Sequence, residues 1–306
     1  MTAARSRDAA TLLLIAITAI WGSTFFLIRD MVVMEMSPVN FLAVRFTIAA
    51  IAMLVVFWRP MLALDKREVQ VGVGLGVVYA VAQITQTIGL AHTEASRSGF
   101  ITGTYVVLTP ILTAVLLRER IPRSTWAAVL LATTGLTMLS LNGLGFGLGF
   151  GEGLTLIAAV FYALHIIGLG RFSSPSSVAG LSAVQMVVIA LVSVVVAAPS
   201  GIELPDGARA WASVLYMALM AGSVALWAQT WAQSHLPATR AAIVMTLEPV
   251  FAAGFAVAFG SESMSVQMFL GGAMILAAMY TVELIGRRTG GRTEQNPSAE
   301  LLHHEV

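Results

Sequence analysis

Apolar runs of about 20 residues, the length that crosses a hydrocarbon core of about 30 Å, recur along the chain between short clusters of charged, Gly, Pro and Ser residues. They lie near 9–28, 38–58, 69–91, 97–117, 124–141, 152–170, 178–199, 210–231, 239–259 and 267–285. The separators include "RPMLALDKRE", "HTEAS", "RERIPR", "NGLGFGLGFGEG", "RFSSPSS", "SHLPA" and "GSESMS". This pattern predicts ten transmembrane helices. The first run follows Arg5 and Arg7 but is too long for a signal-peptide core and lacks a small-x-small cleavage site, so it is read as a retained span. From Arg287 onward the apolar period is lost, and a disordered tail is expected.

The chain also matches itself. An offset of 143 residues pairs "QTIGLAHTEASR" with "QTWAQSHLPATR", bringing Gln86 onto Gln229, His92 onto His235, Arg97 onto Arg240 and Tyr105 onto Glu248. An offset of 140 aligns the earlier spans, placing Trp21 on Phe161 and Arg45 on Gln185. Two halves of five helices are implied, and because five is odd the second half crosses in the opposite sense. The expected fold is an all-α integral membrane protein with ten transmembrane helices in two inverted five-helix repeats. Residues 1–141 form the first repeat, 142–151 an external Gly-rich linker, 152–286 the second repeat and 287–306 a cytoplasmic tail. Inverted repeats are the architecture in which secondary transporters hold substrate at the midplane, although channels and duplicated proteins share it.

Charge orients the spans, since Lys and Arg accumulate in cytoplasmic loops. With the N-terminus inside, 13 basic residues fall on the cytoplasmic side and only Arg29, Arg97 and Arg209 outside. Both termini are expected in the cytoplasm and the membrane is read as the inner, plasma membrane. Composition agrees: 58% of residues are hydrophobic and 11% charged, with mean hydropathy +0.85, against roughly 25% charged in soluble domains. A net charge of +1 argues against nucleic acid as a partner, and the absence of Cys removes disulfides and thiolate chemistry.

Several stretches resemble the drug/metabolite transporter superfamily, specifically its EamA-type members. They are "AIWGSTFFLIR", "SPVNFLAVRFTIAA", "ASRSGFITGTYVVLTPILTAVLLRERIP", "ATRAAIVMTLEPVFAAGFAVAFGSE" and "GGAMILAAMY". The resemblance reaches nearly to Arg288. It implies ten spans in two EamA repeats and a secondary transporter, often an exporter of amino acids or other metabolites, without naming the substrate. One departure is that Pro110 lies 9 residues before Glu119 whereas Pro249 lies 13 before Glu262, so the prolines are not symmetry mates.

Ionisable groups inside spans are costly and usually face a bundle interior or a wet cavity. Arg45 sits seven residues after Pro38, about 10 Å below one end of its helix, and Glu248 eight after Arg240, about 12 Å from the other end. At such similar depths they can form a fixed buried ion pair. Alternatively, Glu248 exchanges protons as the cavity opens to either side, with burial opposing its charge and Arg45 supporting it. Arg45 is also suited to a substrate carboxylate, which a guanidinium holds bidentately.

Pro249 lacks an N–H and deprives the Met245 carbonyl of its partner, so it is expected to break its helix, as is Pro110. Tyr79, Gln83 and Gln86 continue the stripe begun by Gly72 and Gly76, where the glycines read as close packing. Trp21, Thr24, Phe161, Tyr162, Trp227 and Trp231 are further lining candidates, with helix packing the plainer reading for the Trp residues. His165 and Gln185 are buried polar candidates, His165 as a proton relay or as a hydrogen-bonded packing residue. "GLGFGLGFGEG" has G-x-G-x-x-G spacing without a βαβ unit and is read as a hinge.

No enzyme activity, cofactor or metal is expected. The leading expectation is an exporter of a small metabolite, an amino acid or related amphiphile, working by alternating access with proton antiport as the favoured coupling. Its partners are the lipid bilayer, the small-molecule substrate and protons. Drug or toxin efflux and facilitated exchange on the same fold are the alternatives, followed by a polytopic membrane enzyme or a passive channel. Oligomeric state is left open.

Overall fold

The computed structural model describes residues 3–31, 36–93, 95–140, 149–258 and 265–294, and among these every regular element is helical. The first half comprises α1 (Ala3–Asp30), α2 (Pro38–Leu62), α3 (Lys66–Ala91), α4 (Ala95–Gly103), α5 (Tyr105–Leu116) and α6 (Arg123–Ser140). The second comprises α7 (Phe150–Phe172), α8 (Val178–Ala197), α9 (Gly207–Ala218), a π-helical turn (Leu219–Val224), α10 (Ala225–Gln233), α11 (Ala238–Met245), α12 (Leu247–Ala258) and α13 (Val266–Glu294). Ten passes result, because α4 with α5, α9 with α10, and α11 with α12 each form one interrupted span. Eight of the ten are long and apolar enough to cross a membrane, and Val266–Thr281 is a shorter apolar helix. The expected linker lies mostly in 141–148, outside the described residues.

Local chemistry sets the helix starts. Ser37 caps α2, accepting from the Asn40 N–H, with Pro38 at the first position, where its missing donor is harmless. Asp65 and Glu68 form a reciprocal capping box at α3. At the other extreme α13 continues to Glu294, so residues 287–294 are helical where a disordered tail was expected.

The two interrupted spans of the repeat break in the same way. Thr104 (φ −62°, ψ −12°) separates α4 from α5, and Thr246 (φ −66°, ψ −4°) separates α11 from α12. Each threonine turns its hydroxyl and its N–H back onto the carbonyl three residues earlier, Thr104 on Ile101 and Thr246 on Ile243. Such side-chain bonding competes with the helical ladder. The second break follows Pro249, as expected, since α11 ends at Met245, the residue whose carbonyl that proline strands. The first does not follow Pro110. That proline lies inside α5, and the interruption falls six residues earlier beside Gly103, a residue with little helix propensity.

The breaks stand 142 residues apart, not 143, because α4 has nine residues and α11 eight. Gly103 is the residue without a counterpart. Downstream of it Tyr105 therefore matches Leu247 and not Glu248, which moves the expected equivalence by one position.

Packing repeats the symmetry. α2 lies against α8 and α6 against α13, each the counterpart of the other. α3 packs on α7 as α10 packs on α1, and α4 and α5 pack on α7 as α11 and α12 pack on α1. These reciprocal contacts are those of two inverted halves interleaved about a pseudo-twofold axis. Close approach depends on small residues: a Cβ on Gly135 would come within 2.6 Å of the Gly271 carbonyl where α6 meets α13. Without water to exclude, tight packing of this kind is what holds membrane helices together. At the end of the bundle that carries the N-terminus, Leu14 and Ile17 of α1 join Ile166 and Ile243–Val244 in one buried apolar cluster.

Candidate functional site

A cavity of about 60 Å³ lies on the pseudo-axis, among α1, α2, α3, α4, α5, α7, α10, α11 and α12. At roughly 10–15 Å³ per water, that is space for about four to six waters. It runs from Ile28 and Leu90, near the ends of α1 and α3 remote from the N-terminus, down to Ile166 and Gln229 above the apolar floor.

Nine of the residues expected from sequence face it: Trp21, Thr24, Arg45, Tyr79, Gln83, Gln86, Tyr105, Glu248 and Tyr162. The first two come from α1, the three polar residues after Arg45 from the stripe of α3, Tyr105 and Glu248 from immediately beyond the helix breaks, and Tyr162 from α7. Gly72 and Gly76, lower on α3, sit against Val184 and Val188 of α8, so their role is packing.

Arg45 is 3% exposed. Its Nε donates to the Met217 carbonyl at 3.3 Å, and the guanidinium stands over the Phe46 ring at 4.9 Å and the Phe41 ring at 5.7 Å. One terminal nitrogen is buried without a partner. Among the described residues no ion pair joins it to Glu248. The fixed pair is therefore absent from this conformation, and a guanidinium and an acid side chain face one space without touching. An unpaired buried charge is a large expense, which a ligand of opposite charge removes. The Tyr105 hydroxyl is also buried and unpartnered.

The π-helical turn explains how Arg45 is aimed. A π turn shifts the hydrogen-bond ladder by one residue and is common at functional sites. Around it the Met217 carbonyl takes Arg45 and the Ala221 carbonyl takes the Trp21 indole N–H at 3.0 Å, while the Ser223 hydroxyl bonds the Ala49 carbonyl at 3.1 Å. Nothing in "LMAGSV" announces such a turn.

Five expected residues do not line the cavity. His165 Nε2 and Gln185 Oε1 lie 2.8 Å apart and pair with each other, and the His165 ring stacks on Tyr79 at 4.6 Å, supporting that wall from behind. Trp227 stacks on Phe57 at 6.4 Å, and Trp231 packs against His235. Phe161 yields its place to Tyr162, since neighbouring helical residues point about 100° apart.

Tyr162 donates to Gln86 Oε1 at 2.5 Å, and Gln86 donates to Thr102 at 3.0 Å, tying α7, α3 and α4 across the cavity. Gln229, Met245, Ile166, Thr87, Phe25, Ile28 and Leu90 complete the lining without having been singled out as candidates. Gln229 was within reach as the repeat counterpart of Gln86. The apolar members carry no sequence signal distinct from core. Arg240, counted with the loop cations, is instead buried against α1, with Thr11 3.5 Å from its guanidinium. Among the described residues no cluster of three or more His, Asp or Glu side chains is placed to hold a metal.

Comparison with known proteins agrees with this architecture. The family model described as the EamA-like transporter family matches residues 9–141 and 149–284. An uncharacterized transporter of Archaeoglobus fulgidus is 32% identical over 277 residues, covering 90% of this chain and 86% of its own. A solved crystal structure superposes with a TM-score of 0.75 over 92% of this chain and 99% of its own, at 18% identity, which speaks to the fold alone.

Proposed function

Since this chain belongs to the EamA-like transporter family, we propose that it is a secondary transporter that exports a small zwitterion, an amino acid or a close relative, across the plasma membrane by alternating access. The observation that carries the reading is the separation of Arg45 from Glu248 across one cavity. A guanidinium suits a carboxylate and a carboxylate suits an ammonium, so a ligand bearing both ends neutralises both walls at once. Arg45 holds the anionic end with the help of the Tyr105 hydroxyl, and Glu248 holds the cationic end.

The basic end of the bundle, closed below the cavity by Leu14, Ile17 and Ile243, is the cytoplasmic end by the positive-inside rule. The conformation is then outward-facing, with both termini inside. The breaks at Thr104 and Thr246 give each half a point of bending, so the two halves can rock about the site. When the substrate leaves, Glu248 loses its counter-charge. Proton uptake restores neutrality, and this is the coupling step.

Exchange in proteoliposomes tests it. Vesicles preloaded with unlabelled L-leucine are expected to accumulate labelled L-leucine saturably and in a pH-dependent way, and Glu248→Gln to slow exchange about tenfold or more and flatten its pH dependence. A variant with wild-type rate and pH profile removes Glu248 from coupling. Flux that neither saturates nor shows exchange makes the protein a channel.

A further inference from the structure

Gln86 and Gln229 are equivalent positions of the two halves, and both line the cavity. Their amide nitrogens behave alike. Gln86 Nε2 donates to Thr102 Oγ1 at 3.0 Å, and Gln229 Nε2 reaches the sulfur of Met245, the counterpart of Thr102, at 3.8 Å. Their oxygens differ: Gln86 Oε1 accepts the Tyr162 hydroxyl, whereas Gln229 Oε1 is buried and unpartnered. The cause is legible. The repeat counterpart of Tyr162 is Gly22, where even a Cβ would come within 2.8 Å of the Glu248 carbonyl. The same close approach that brings α12 onto α1 removes the donor that would have satisfied Gln229.

The orientation of the amide is set by its neighbours. Gln233 Nε2 donates to the Ile166 carbonyl at 2.7 Å, and a carbonyl can only accept. Gln233 Oε1 therefore faces Gln229 and takes its Nε2 at 3.1 Å. Gln229 is left offering an acceptor alone. A buried acceptor with no donor is rare and calls for an explanation, and here it belongs to a residue of the cavity wall.

We propose that Gln229 is a specificity-determining residue whose Oε1 accepts an N–H of the substrate's cationic end, alongside the Glu248 carboxylate. This rests on the zwitterion reading above and sharpens it. Two acceptors on one cationic group require at least two N–H bonds, which a primary or secondary ammonium has and a quaternary one lacks. The site selects free amino acids over their N-trimethylated betaines.

Binding to the purified full-length protein, read by intrinsic tryptophan fluorescence, tests this with L-leucine and N,N,N-trimethyl-L-leucine as probes. The wild type is expected to bind leucine about tenfold or more tightly than the trimethyl form, and Gln229→Leu to lose about tenfold for leucine alone. Equal affinity of the wild type for both probes overturns the role of Gln229 without recourse to a variant. Unchanged leucine affinity in Gln229→Leu does the same. If neither probe binds the wild type, it is the zwitterion reading that falls.

Discussion

The fourth and ninth spans are counterparts of one another, and both are cut by a threonine that folds its hydroxyl onto the carbonyl of an isoleucine three residues back. Beyond the cut they diverge. One continues with Tyr105 and meets its proline only at position 110, while the other presents Glu248 and a proline at once. The second spans show the same contrast: Arg45 turns into the cavity with a nitrogen unpartnered, while its counterpart Gln185 is spent on His165. On the proposed reading, the backbone keeps the symmetry that rocking between two states requires, and the side chains abandon it where a ligand with two unlike ends is held.

That contrast can be broken by substitution. Arg45→Ala is expected to weaken L-leucine exchange by about 100-fold, the scale of a lost charge-assisted hydrogen bond, whereas Gln185→Ala acts only through the support of Tyr79 and changes the KM by a few-fold. Exchange kinetics of the pair separate the two roles, and equal effects would show that the halves are not chemically distinct. Smaller effects should follow from the breaks themselves. Thr104→Val and Thr246→Val each remove one hydroxyl bond and are expected to lower stability by a similar amount, about 0.5–1.5 kcal/mol, seen as matching shifts in thermal unfolding. A shift confined to one variant would make the other break a feature of sequence without structural consequence.

Much of this could be read before any coordinates. Ten passes and the two halves are written in apolar runs and in the pairing of Gln86 with Gln229, because a bilayer imposes span length directly. The shared depth of Arg45 and Glu248 followed from counting residues along two helices. Depth says nothing about rotation, however, so the same count could not distinguish a paired Arg45 from one tied to Met217. Proline is the stronger local signal, so the sequence predicts a break from Pro110, whereas the hydroxyl bond that decides the break at Thr104 is a feature that most threonines in helices do not use to end them. The π-helical turn, which aims Trp21 and Arg45, is invisible in composition because it is a change of register and not of residue type. Phe161 and Tyr162 show the remaining difficulty: adjacent aromatic residues on one helix are separated only by where the neighbouring helices stand.

The claim on which the account depends is that Arg45 and Glu248 hold opposite ends of one ligand. Competition against labelled L-leucine exchange by leucinol, which lacks the carboxylate, and by isocaproate, which lacks the ammonium, addresses it directly. Both are expected to compete about tenfold or more weakly than leucine itself, with Arg45→Ala erasing the penalty for leucinol and Glu248→Gln erasing that for isocaproate. Competition by either analogue as strong as that of leucine in the wild type would contradict the two-ended site.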